Sequence, residues 1–390
     1  MLTKNDPTKD ITFDDFKADV LNDYKIAFTS RECSLLGRRE VLTGKAKFGI
    51  FGDGKELPQI AWAKAFQKGD FRSGYYRDQT FMMAIGELNI EQFFAGLYAH
   101  TDIANDPMSA GRQMGGHFTT HSLDKNFNWK NLTEQYNSSS DISPTGAQMP
   151  RLLGLAQASK VYRELKSKNS NKFSKNGNEV AWGTIGNAST SEGVFFETIN
   201  AAGVLQVPMV ISIWDDEYGI SVHAKHQTTK ENISEILKGF QRDSKSNGYE
   251  MLKVHGWDYV ELINSYQKAS EIARNEHVPV MIHVNELTQP QGHSTSGSHE
   301  RYKSANRLKW ERSNDCNIKF RQWIISNDIS SDEEITILER SIKKSVKEGK
   351  QKAWKDFCDP IKAEKQEVVQ LMKSASDSSS QSVFVNKIID

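Results

Sequence analysis

The sequence predicts an α/β protein with a doubly wound parallel sheet and helical extensions at its N- and C-terminal ends. Three observations support this fold class. Between residues 179 and 286, apolar runs typical of buried strands alternate with helical segments, which is the pattern of a parallel sheet with crossover helices. Residues 1–45 are polar and helical in character, and residues 331–376 are charged with helical spacing.

Helices separated by polar loops are expected in the first part of the chain. Residues 55–105 contain two predicted helices with FRSGYYRDQT between them, and residues 106–145 are rich in Gly, Ser, Asn, His and Thr, which indicates loops. MPRLLGLAQASKVYREL (149–165) predicts a helix, and SKNSNKFSKNGNE (167–179) predicts a surface loop.

The middle of the chain contains a strand–turn–helix–strand unit. Its parts are EVAWGTI (179–185), GNASTSEG (186–193), VFFETINAAGVLQV (194–207) and VPMVISIW (207–214). The strands of such a unit are parallel and the crossover is right-handed. The pattern then repeats with a helix at 231–242, a strand at 249–254, a helix at 258–275 and a strand at 278–286.

The C-terminal part begins with a helix-start signal. Ser331 to Glu334 form a capping box, and Ile335, Leu338, Ile342 and Val346 follow at helical spacing. A second charged helix is expected after Pro360. We therefore divide the chain into a helical N-terminal arm (1–45), an α/β domain (46–330), a charged helical extension (331–376), and a linker that starts a further segment (377–390).

Composition excludes several classes of protein. Lys plus Arg and Asp plus Glu both number 50, and this balance argues against nucleic acid as the main partner, which would need a basic surplus. The sequence shows neither the apolar core of a signal peptide nor a stretch that approaches a transmembrane span. Cys33, Cys316 and Cys358 are widely spaced and odd in number, which favours a reducing compartment and a cytoplasmic location.

Polar side chains follow the two strands of the central unit. Asn187 follows the first strand, and Asp215 and Asp216 follow the second. Ligands of doubly wound sheets bind beyond the carboxyl ends of the strands. One carboxylate with neutral oxygens and ligand phosphates is a usual Mg²⁺ environment, and the small residues Gly186, Ala188 and Ser189 before a helix favour a phosphate. The strand ends therefore predict a Mg²⁺–diphosphate site.

At this point the chain resembles a known family. GNASTSEG followed by DDEYGIS is similar to the thiamine-diphosphate motif usually written GDG…NN. YYRDQT (75–80), GRQMGGHF (111–118), SPTGAQMP (143–150) and QGHSTSGSHERY (291–302) occur in that family's order. The likeness covers most of residues 40–330. It is to the alpha subunit, or the alpha half of an alpha–beta fusion, of the decarboxylating first component of 2-oxo acid dehydrogenase complexes.

The resemblance implies a thiamine-diphosphate-binding fold and a set of site residues. Asn187 and Asp216 match the side-chain Mg²⁺ ligands, and Tyr218 matches the residue that gives a backbone carbonyl. The cofactor-binding positions are Tyr76 and Arg77 at the diphosphate, Ser143 and Thr145 at the aminopyrimidine, and Gly186, Ala188, Ser189 and Ile220. His293 matches the loop histidine near the diphosphate and the reacting carbon, and it is the expected catalytic residue.

Three departures from the family pattern stand out. Relatives usually carry Asp or Glu at position 187 and Asn at position 216, so the two side chains are exchanged in this chain, and we interpret this as a compensated swap. The basic residue often found shortly before His293 is replaced by Gln289-Pro290-Gln291, which predicts a site that is poorer by one positive charge. Ile142 and Ala147 replace potassium-binding hydroxyl residues, so that ion is not predicted.

The resemblance also implies partners and a reaction. A beta subunit, or a fused beta half, would supply the glutamate that activates the cofactor, in a heterotetramer. The acyl group of a decarboxylated 2-oxo acid would pass to the lipoyl group of an acyltransferase. HSTSGS favours a branched-chain 2-oxoisovalerate substrate. Pyruvate and acetoin are alternatives, and a non-catalytic paralogue that acts as a binding or regulatory subunit is the competing class.

Two short patterns are interpreted as decoys. Gly52-Asp53-Gly54 spells GDG, but no strand-ending Asn or Asp follows at the required distance, so a turn is predicted. His117 and His121 are spaced as in zinc helices, but glycines precede them and the expected glutamate is missing. A zinc site is therefore not predicted.

Overall fold

Six strands form one parallel sheet at the centre of the computed structural model, which describes residues 12–165 and 171–389. They are β1 (Phe71–Ser73), β2 (Asn137–Ser138), β3 (Ala181–Gly186), β4 (Met209–Trp214), β7 (Glu250–His255) and β8 (Val280–Asn285), and a separate antiparallel hairpin contains β5 (Tyr218–Gly219) and β6 (Val222–His223). The sheet order is β2-β1-β3-β4-β8-β7. This arrangement confirms the predicted α/β class.

Helices cover both faces of this sheet. They are α1 (Phe13–Leu42), α2 (Glu56–Ala65), α3 (Gln79–Ala84), α4 (Ile90–Leu97), α5 (Gln148–Leu165), α6 (Gly193–Leu205), α7 (Ile233–Ile236), α8 (Tyr259–Glu271), α9 (Ala305–Ser313), α10 (Cys316–Ser326), α11 (Asp332–Asp377) and α12 (Ser382–Ile389). None of the helices in the described residues is long and apolar enough to cross a bilayer.

Strand β4 shows how the two faces are separated. All six of its residues are buried, and successive side chains point to opposite faces. Ile211 and Ile213 belong to the core shared with α5 and α6, whereas Val210 and Trp214 belong to the core shared with α2 and α8. Because both faces are buried, the strand is a continuous apolar run.

The N-terminal helix and α11 pack together on one side of the sheet domain. The capping box is present, since Ser331 accepts from the Glu334 N–H and Glu334 accepts from the Ser331 N–H. Ile335, Ile342 and Val346 are buried, as their spacing predicts. Residues 1–11 of the predicted arm lie outside the described residues.

The C-terminal expectations need correction. The segment directly after Pro360 is not a separate helix, because α11 runs through the proline from Asp332 to Asp377. A proline removes one backbone donor, and the residues around Pro360 are exposed, so water can satisfy the freed carbonyl. The predicted linker at 377–382 is only a short turn, since α12 follows and the Ser376 hydroxyl lies 3.1 Å from Asn386 Oδ1.

Two other segments differ in detail from the prediction. The helix predicted at 231–242 is limited to α7 and one 3-10 turn, Leu237–Phe240. Residues 106–145 are loops except for a 3-10 turn, Leu132–Glu134, and the edge strand β2, which the sequence did not reveal. The predicted loop at 167–179 lies partly outside the described residues.

Candidate active site

The carboxyl ends of β3 and β4 lie side by side. Gly186 pairs with Trp214 at the end of the ladder, and the Asn187 N–H donates to the Trp214 carbonyl at 3.0 Å. Asn187 and Asp216 therefore follow neighbouring parallel strands at the same edge of the sheet. This is the placement that the strand–turn–helix–strand pattern predicts.

A cavity of about 390 Å³ opens at this edge. The structure brings together all of the predicted site residues around it. They are Tyr76, Arg77, Ser143, Thr145, Gly186, Asn187, Ala188, Ser189, Asp216, Tyr218, Ile220 and His293. These residues come from five separate segments of the chain, so their convergence is a property of the fold.

Asp216 is held by two donors in the protein. Its Oδ2 atom accepts from Lys55 Nζ at 2.9 Å, and its Oδ1 atom accepts from the Tyr218 N–H at 3.2 Å. Burial alone would raise the pKa of Asp216, but the adjacent Lys55 ammonium, together with the charges of Lys303 and Arg77, outweighs burial and the pKa is lowered. The carboxylate is therefore ionised at neutral pH.

Asn187 has an unsatisfied side chain. The residue is 5 % exposed, and its Nδ2 atom is buried without a hydrogen-bond partner among the described residues. A buried donor without an acceptor is unfavourable by about 1–3 kcal/mol. A ligand oxygen in the cavity, such as one from a phosphate, would satisfy it.

The chain after Asp216 turns sharply along the cavity. Glu217 has φ of +66° and Ile220 has φ of +56°, which is the left-handed region that β-branched residues rarely adopt. Arg307 supports the turn from outside, because its Nη2 donates to the Asp216 carbonyl at 2.9 Å. Strained backbone of this kind is concentrated at functional sites.

Arg77 connects two segments of the site. Its Nη1 donates to the Phe51 carbonyl at 2.5 Å and its Nη2 donates to the His293 carbonyl at 3.0 Å. The guanidinium also lies over the Tyr76 ring, 5.2 Å from its centroid. Arg77 therefore carries positive charge into the cavity wall and fixes the loop that carries His293.

His293 has an uncharged imidazole at neutral pH. Burial lowers the pKa of His293, and the Arg77 charge lowers it further, to about 4. A neutral imidazole has one donor and one acceptor nitrogen. It can therefore orient a ligand oxygen and exchange a proton with it.

Ser143 also lines the cavity, whereas His117 and His121 do not. Ser143 Oγ and His117 Nε2 lie 2.9 Å apart, and His117 Nδ1 lies 2.9 Å from the Met114 carbonyl. His121 Nε2 instead lies 2.8 Å from the Pro107 carbonyl. The two histidines do not converge, and no cluster of three His, Cys, Asp or Glu side chains suited to a metal occurs in the described residues. The predicted Mg²⁺ ligands, Asn187, Asp216 and the Tyr218 carbonyl, include only one carboxylate and are therefore not a cluster of this kind.

Asp215 contacts His283 and does not line the cavity. His283 Nε2 lies 2.8 Å from Asp215 Oδ2, and His283 Nδ1 lies 2.6 Å from Ser234 Oγ. The Asp215 N–H donates to the Val284 carbonyl at 2.9 Å. Asp215 thus fixes the end of β4 against β8 and leaves Asp216 to the cavity.

Sequence reasoning missed two lysines at the cavity. Lys55 and Lys303 both line it, and Lys303 Nζ donates to Glu311 Oε1 at 2.7 Å. Lys55 Nζ lies 2.6 Å from Gln289 Oε1 and places a positive charge beside that residue, while the predicted deficit of one charge relative to the family stays a prediction. The sequence signal that could have revealed Lys55 is its position directly after the Gly52–Gly54 turn and before an apolar helix.

That turn is present as predicted. Gly54 has φ of +85°, and a Cβ atom there would lie 2.2 Å from the Thr288 carbonyl oxygen. The turn is thus packed directly against the segment that leads to His293. Asp53 reinforces the contact, because its Oδ2 accepts from the Gln291 N–H at 3.0 Å.

The arrangement fits a diphosphate-bearing ligand. Arg77, Lys55 and the unsatisfied Asn187 amide offer positive charge and a donor in the wall of the cavity. The small residues at 186, 188 and 189 leave space beside the strand end. They precede a 3-10 turn, Ala188–Ser191, before α6 begins at Gly193. For a divalent cation, Asp216, Asn187 and the Tyr218 carbonyl are available as oxygen ligands.

Comparison with known proteins gives a consistent result. The family model described as "Dehydrogenase E1 component" matches residues 38–361. The 2-oxoisovalerate dehydrogenase subunit alpha of Bacillus subtilis (strain 168) is 27% identical over 293 residues, which cover 75% of this chain and 77% of that protein. The mitochondrial 2-oxoisovalerate dehydrogenase subunit alpha 1 of Arabidopsis thaliana is 26% identical over 80% of this chain, which spans 58% of that relative.

A relative named for pyruvate is also similar. The pyruvate dehydrogenase E1 component subunit alpha of Rickettsia typhi (strain ATCC VR-144 / Wilmington) is 25% identical over 203 residues, which cover 52% of this chain and 55% of that protein. The similar proteins therefore include alpha subunits named for two different 2-oxo acids.

Proposed function

Because the chain belongs to the dehydrogenase E1 component family, we propose that it acts as the alpha part of a 2-oxo acid dehydrogenase. The reaction is the oxidative decarboxylation of a 2-oxo acid with thiamine diphosphate, followed by acyl transfer to the lipoyl group of an acyltransferase. The family uses thiamine diphosphate in general.

The observation that best supports this proposal is the cavity at the ends of β3 and β4. It combines a cationic wall, an unsatisfied buried amide and a neutral histidine within one space. A cofactor with a diphosphate at one end and a reactive ring at the other would use each of these groups.

Each residue has a proposed role. When bound, thiamine diphosphate supplies the nucleophilic carbon for attack on the 2-oxo group and stabilises the negative charge left by carbon dioxide. Arg77 and Tyr76 hold the diphosphate, and Asn187, Asp216 and the Tyr218 carbonyl are the proposed Mg²⁺ ligands. Ser143 and Thr145 contact the aminopyrimidine through their main chains. His293 orients the reacting group and moves a proton during acyl transfer.

The proposal includes partners. A beta subunit, or a fused beta half, provides the activating glutamate in a heterotetramer, and a lipoyl-bearing acyltransferase accepts the acyl group. The chain alone is therefore expected to be inactive in a decarboxylation assay. Activity of the isolated chain would contradict this part of the proposal. The three unpaired cysteines are consistent with the proposed cytoplasmic location.

The preferred substrate is a branched-chain 2-oxo acid such as 2-oxoisovalerate. The loop sequence HSTSGS and the Bacillus and Arabidopsis relatives favour it. Pyruvate is the second candidate, favoured by the Rickettsia relative. Steady-state kcat/KM values of the assembled enzyme with both acids would decide between them.

The test of the cofactor is calorimetric titration of thiamine diphosphate, with Mg²⁺ and the beta partner present. Asn187→Ala is the informative variant, because the Asn187 amide has no partner to lose. It is expected to weaken cofactor binding by about tenfold or more without lowering thermal stability. Gly154→Ala, on the exposed face of α5, is the matched control and should bind normally.

The decisive negative result concerns the unmodified protein. If the assembled heteromer shows no thiamine diphosphate binding, the cofactor assignment is wrong and the non-catalytic paralogue becomes the better interpretation. Equal affinity of the Asn187→Ala variant would remove the strand-end amide from the proposed site.

A further inference from the structure

Lys55 occupies an unusual position beneath the candidate site. The residue is 1 % exposed, and its ammonium contacts three oxygens. These are Asp216 Oδ2 at 2.9 Å, Gln289 Oε1 at 2.6 Å and the Thr288 carbonyl at 3.1 Å. A lysine ammonium has three donors, so these contacts use its full capacity.

The three oxygens belong to two different parts of the site. Asp216 follows the central strand β4, whereas Thr288 and Gln289 lie on the segment that leads from β8 to His293. Lys55 itself follows the turn that packs against that segment. The ammonium therefore joins the strand end to the His293 segment at one point.

The charges at this point balance one another. Asp216 is 8 % exposed, so its carboxylate adds a negative charge that is almost fully buried. A buried charge is tolerated when it is paired and hydrogen-bonded. Lys55 provides that pairing, and the neutral Gln289 accepts from the same ammonium.

We propose that Lys55 is a positioning residue for the cofactor's diphosphate. Its ammonium is the buried counter-ion of Asp216, and it holds that carboxylate at the cavity wall and links it to the segment that leads to His293. This role rests on the proposed function. Because its donors are already used, Lys55 acts through Asp216 and through its charge, and does not replace Arg77 as a direct hydrogen-bond donor.

The test is a double-mutant cycle on thiamine diphosphate affinity in the assembled heteromer with saturating Mg²⁺. The variants are Lys55→Met, Asp216→Asn and the double variant. Each single change leaves a buried charge unpaired and is expected to raise the Kd about tenfold or more. The double variant removes both charges and should bind no more than about threefold more weakly than Asp216→Asn alone, since coupled residues are not additive.

Lys64→Met is the matched control. Lys64 lies on α2, close to Lys55 in sequence, and pairs with Asp19 at 2.5 Å and Asp23 at 3.0 Å, away from the cavity. Loss of this ion pair should leave cofactor affinity unchanged. A similar loss of affinity in both lysine variants would show a general stability effect and overturn the proposal.

A second readout does not need the cofactor. In the free protein, Lys55→Met is expected to increase amide hydrogen exchange in residues 289–297, whereas Lys64→Met is not. If the unmodified heteromer fails to bind thiamine diphosphate, the proposed function fails. The hydrogen-exchange measurement then still tests whether Lys55 holds the segment that carries His293.

Several results of these experiments would contradict the proposed role of Lys55. Additive losses in the cycle, or unchanged affinity and exchange in Lys55→Met, would overturn the role. If Lys55→Met does not fold, the double variant should fold, because no unpaired charge remains. Failure of both to fold would count against the counter-ion interpretation.

Discussion

Asp216 and Lys55 form a buried pair whose partners are 161 positions apart in the chain. Such pairs contribute little net stability compared with apolar packing, but removal of one partner is costly. The carboxylate at the strand end therefore depends on a residue from a different segment. An aspartate at position 216 is thus a local feature that requires a lysine distant in the sequence.

Asp216→Ala is predicted to destabilise the protein as well as the site. It leaves the Lys55 ammonium buried without its carboxylate, at an expected loss of about 3–5 kcal/mol in the free energy of unfolding. Urea denaturation of the purified chain would measure this. A loss below about 1 kcal/mol would mean that water or a rearranged side chain replaces the carboxylate.

His277 predicts a loss of stability in mild acid. Burial lowers the pKa of His277 to about 4, and its Nε2 lies 2.9 Å from the Gly177 carbonyl. An unfolded histidine has a pKa of about 6.5, so between about pH 6.5 and pH 4 the unfolded state binds more protons. The free energy of unfolding should therefore fall as the pH is lowered through this range.

The check is denaturation at a series of pH values for the unmodified protein and His277→Asn. Asn tolerates the left-handed conformation of residue 277, where φ is +56°, and it does not titrate. The variant should lose less stability between about pH 6.5 and pH 4. Parallel curves for the two proteins would contradict the assignment.

At the scale of the elements, helices differ in how closely they are packed. In α11, a Cβ atom at Gly349 would lie 2.6 Å from Ile90 Cγ2 of α4. In α5, a Cβ atom at Gly154 would meet nothing within 4 Å. Gly349 therefore permits the close approach of α11 and α4, whereas Gly154 packs against nothing in the described residues.

Opposite effects of the same substitution are therefore predicted. Gly154→Ala should stabilise the chain by about 0.5–1 kcal/mol, since alanine loses less backbone entropy in a helix. Gly349→Ala should destabilise it by about 1–3 kcal/mol, because the Ile90 side chain must move. Thermal unfolding of both variants would test this. Stabilisation by both would mean that α4 and α11 separate easily.

At the scale of the whole molecule, α11 has two unlike halves. Its first part buries Ile335, Ile342, Val346 and Ala353 against the sheet domain, and Tyr98 of the domain lies against Trp354 and Phe357. Beyond Phe357 most residues are exposed, including Ile361, Val368 and Leu371. Stability should therefore reside in the first part.

Truncation tests this division. A chain that ends after residue 360 should unfold within about 3 °C of the full chain, which corresponds to roughly 1 kcal/mol. A chain that ends after residue 331 loses the buried side chains of α11 and exposes apolar surface on α1 and α4, so it should aggregate or unfold. Equal stability of both truncated chains would contradict the packing role of α11.

The sequence was sufficient for four of the six sheet strands, β3, β4, β7 and β8, and for most of the cavity. Apolar runs and turn residues determine β3, β4 and their polar ends, because a local pattern encodes a local structure. Lys55 was missed because its partners at 216, 288 and 289 are brought to it only by tertiary packing. Pro360 misled the prediction because an exposed helix can satisfy the lost hydrogen bond with water.

The length of α11 affects how the molecule behaves in solution. Its 46 residues extend about 69 Å at 1.5 Å per residue, and the portion after Phe357 accounts for roughly 30 Å of this. A compact chain of 390 residues has a radius of gyration of about 21 Å. Small-angle X-ray scattering of the monomer should therefore give a larger radius, with a pair-distance distribution that tails to long distances. Ending the chain after residue 360 should remove that tail.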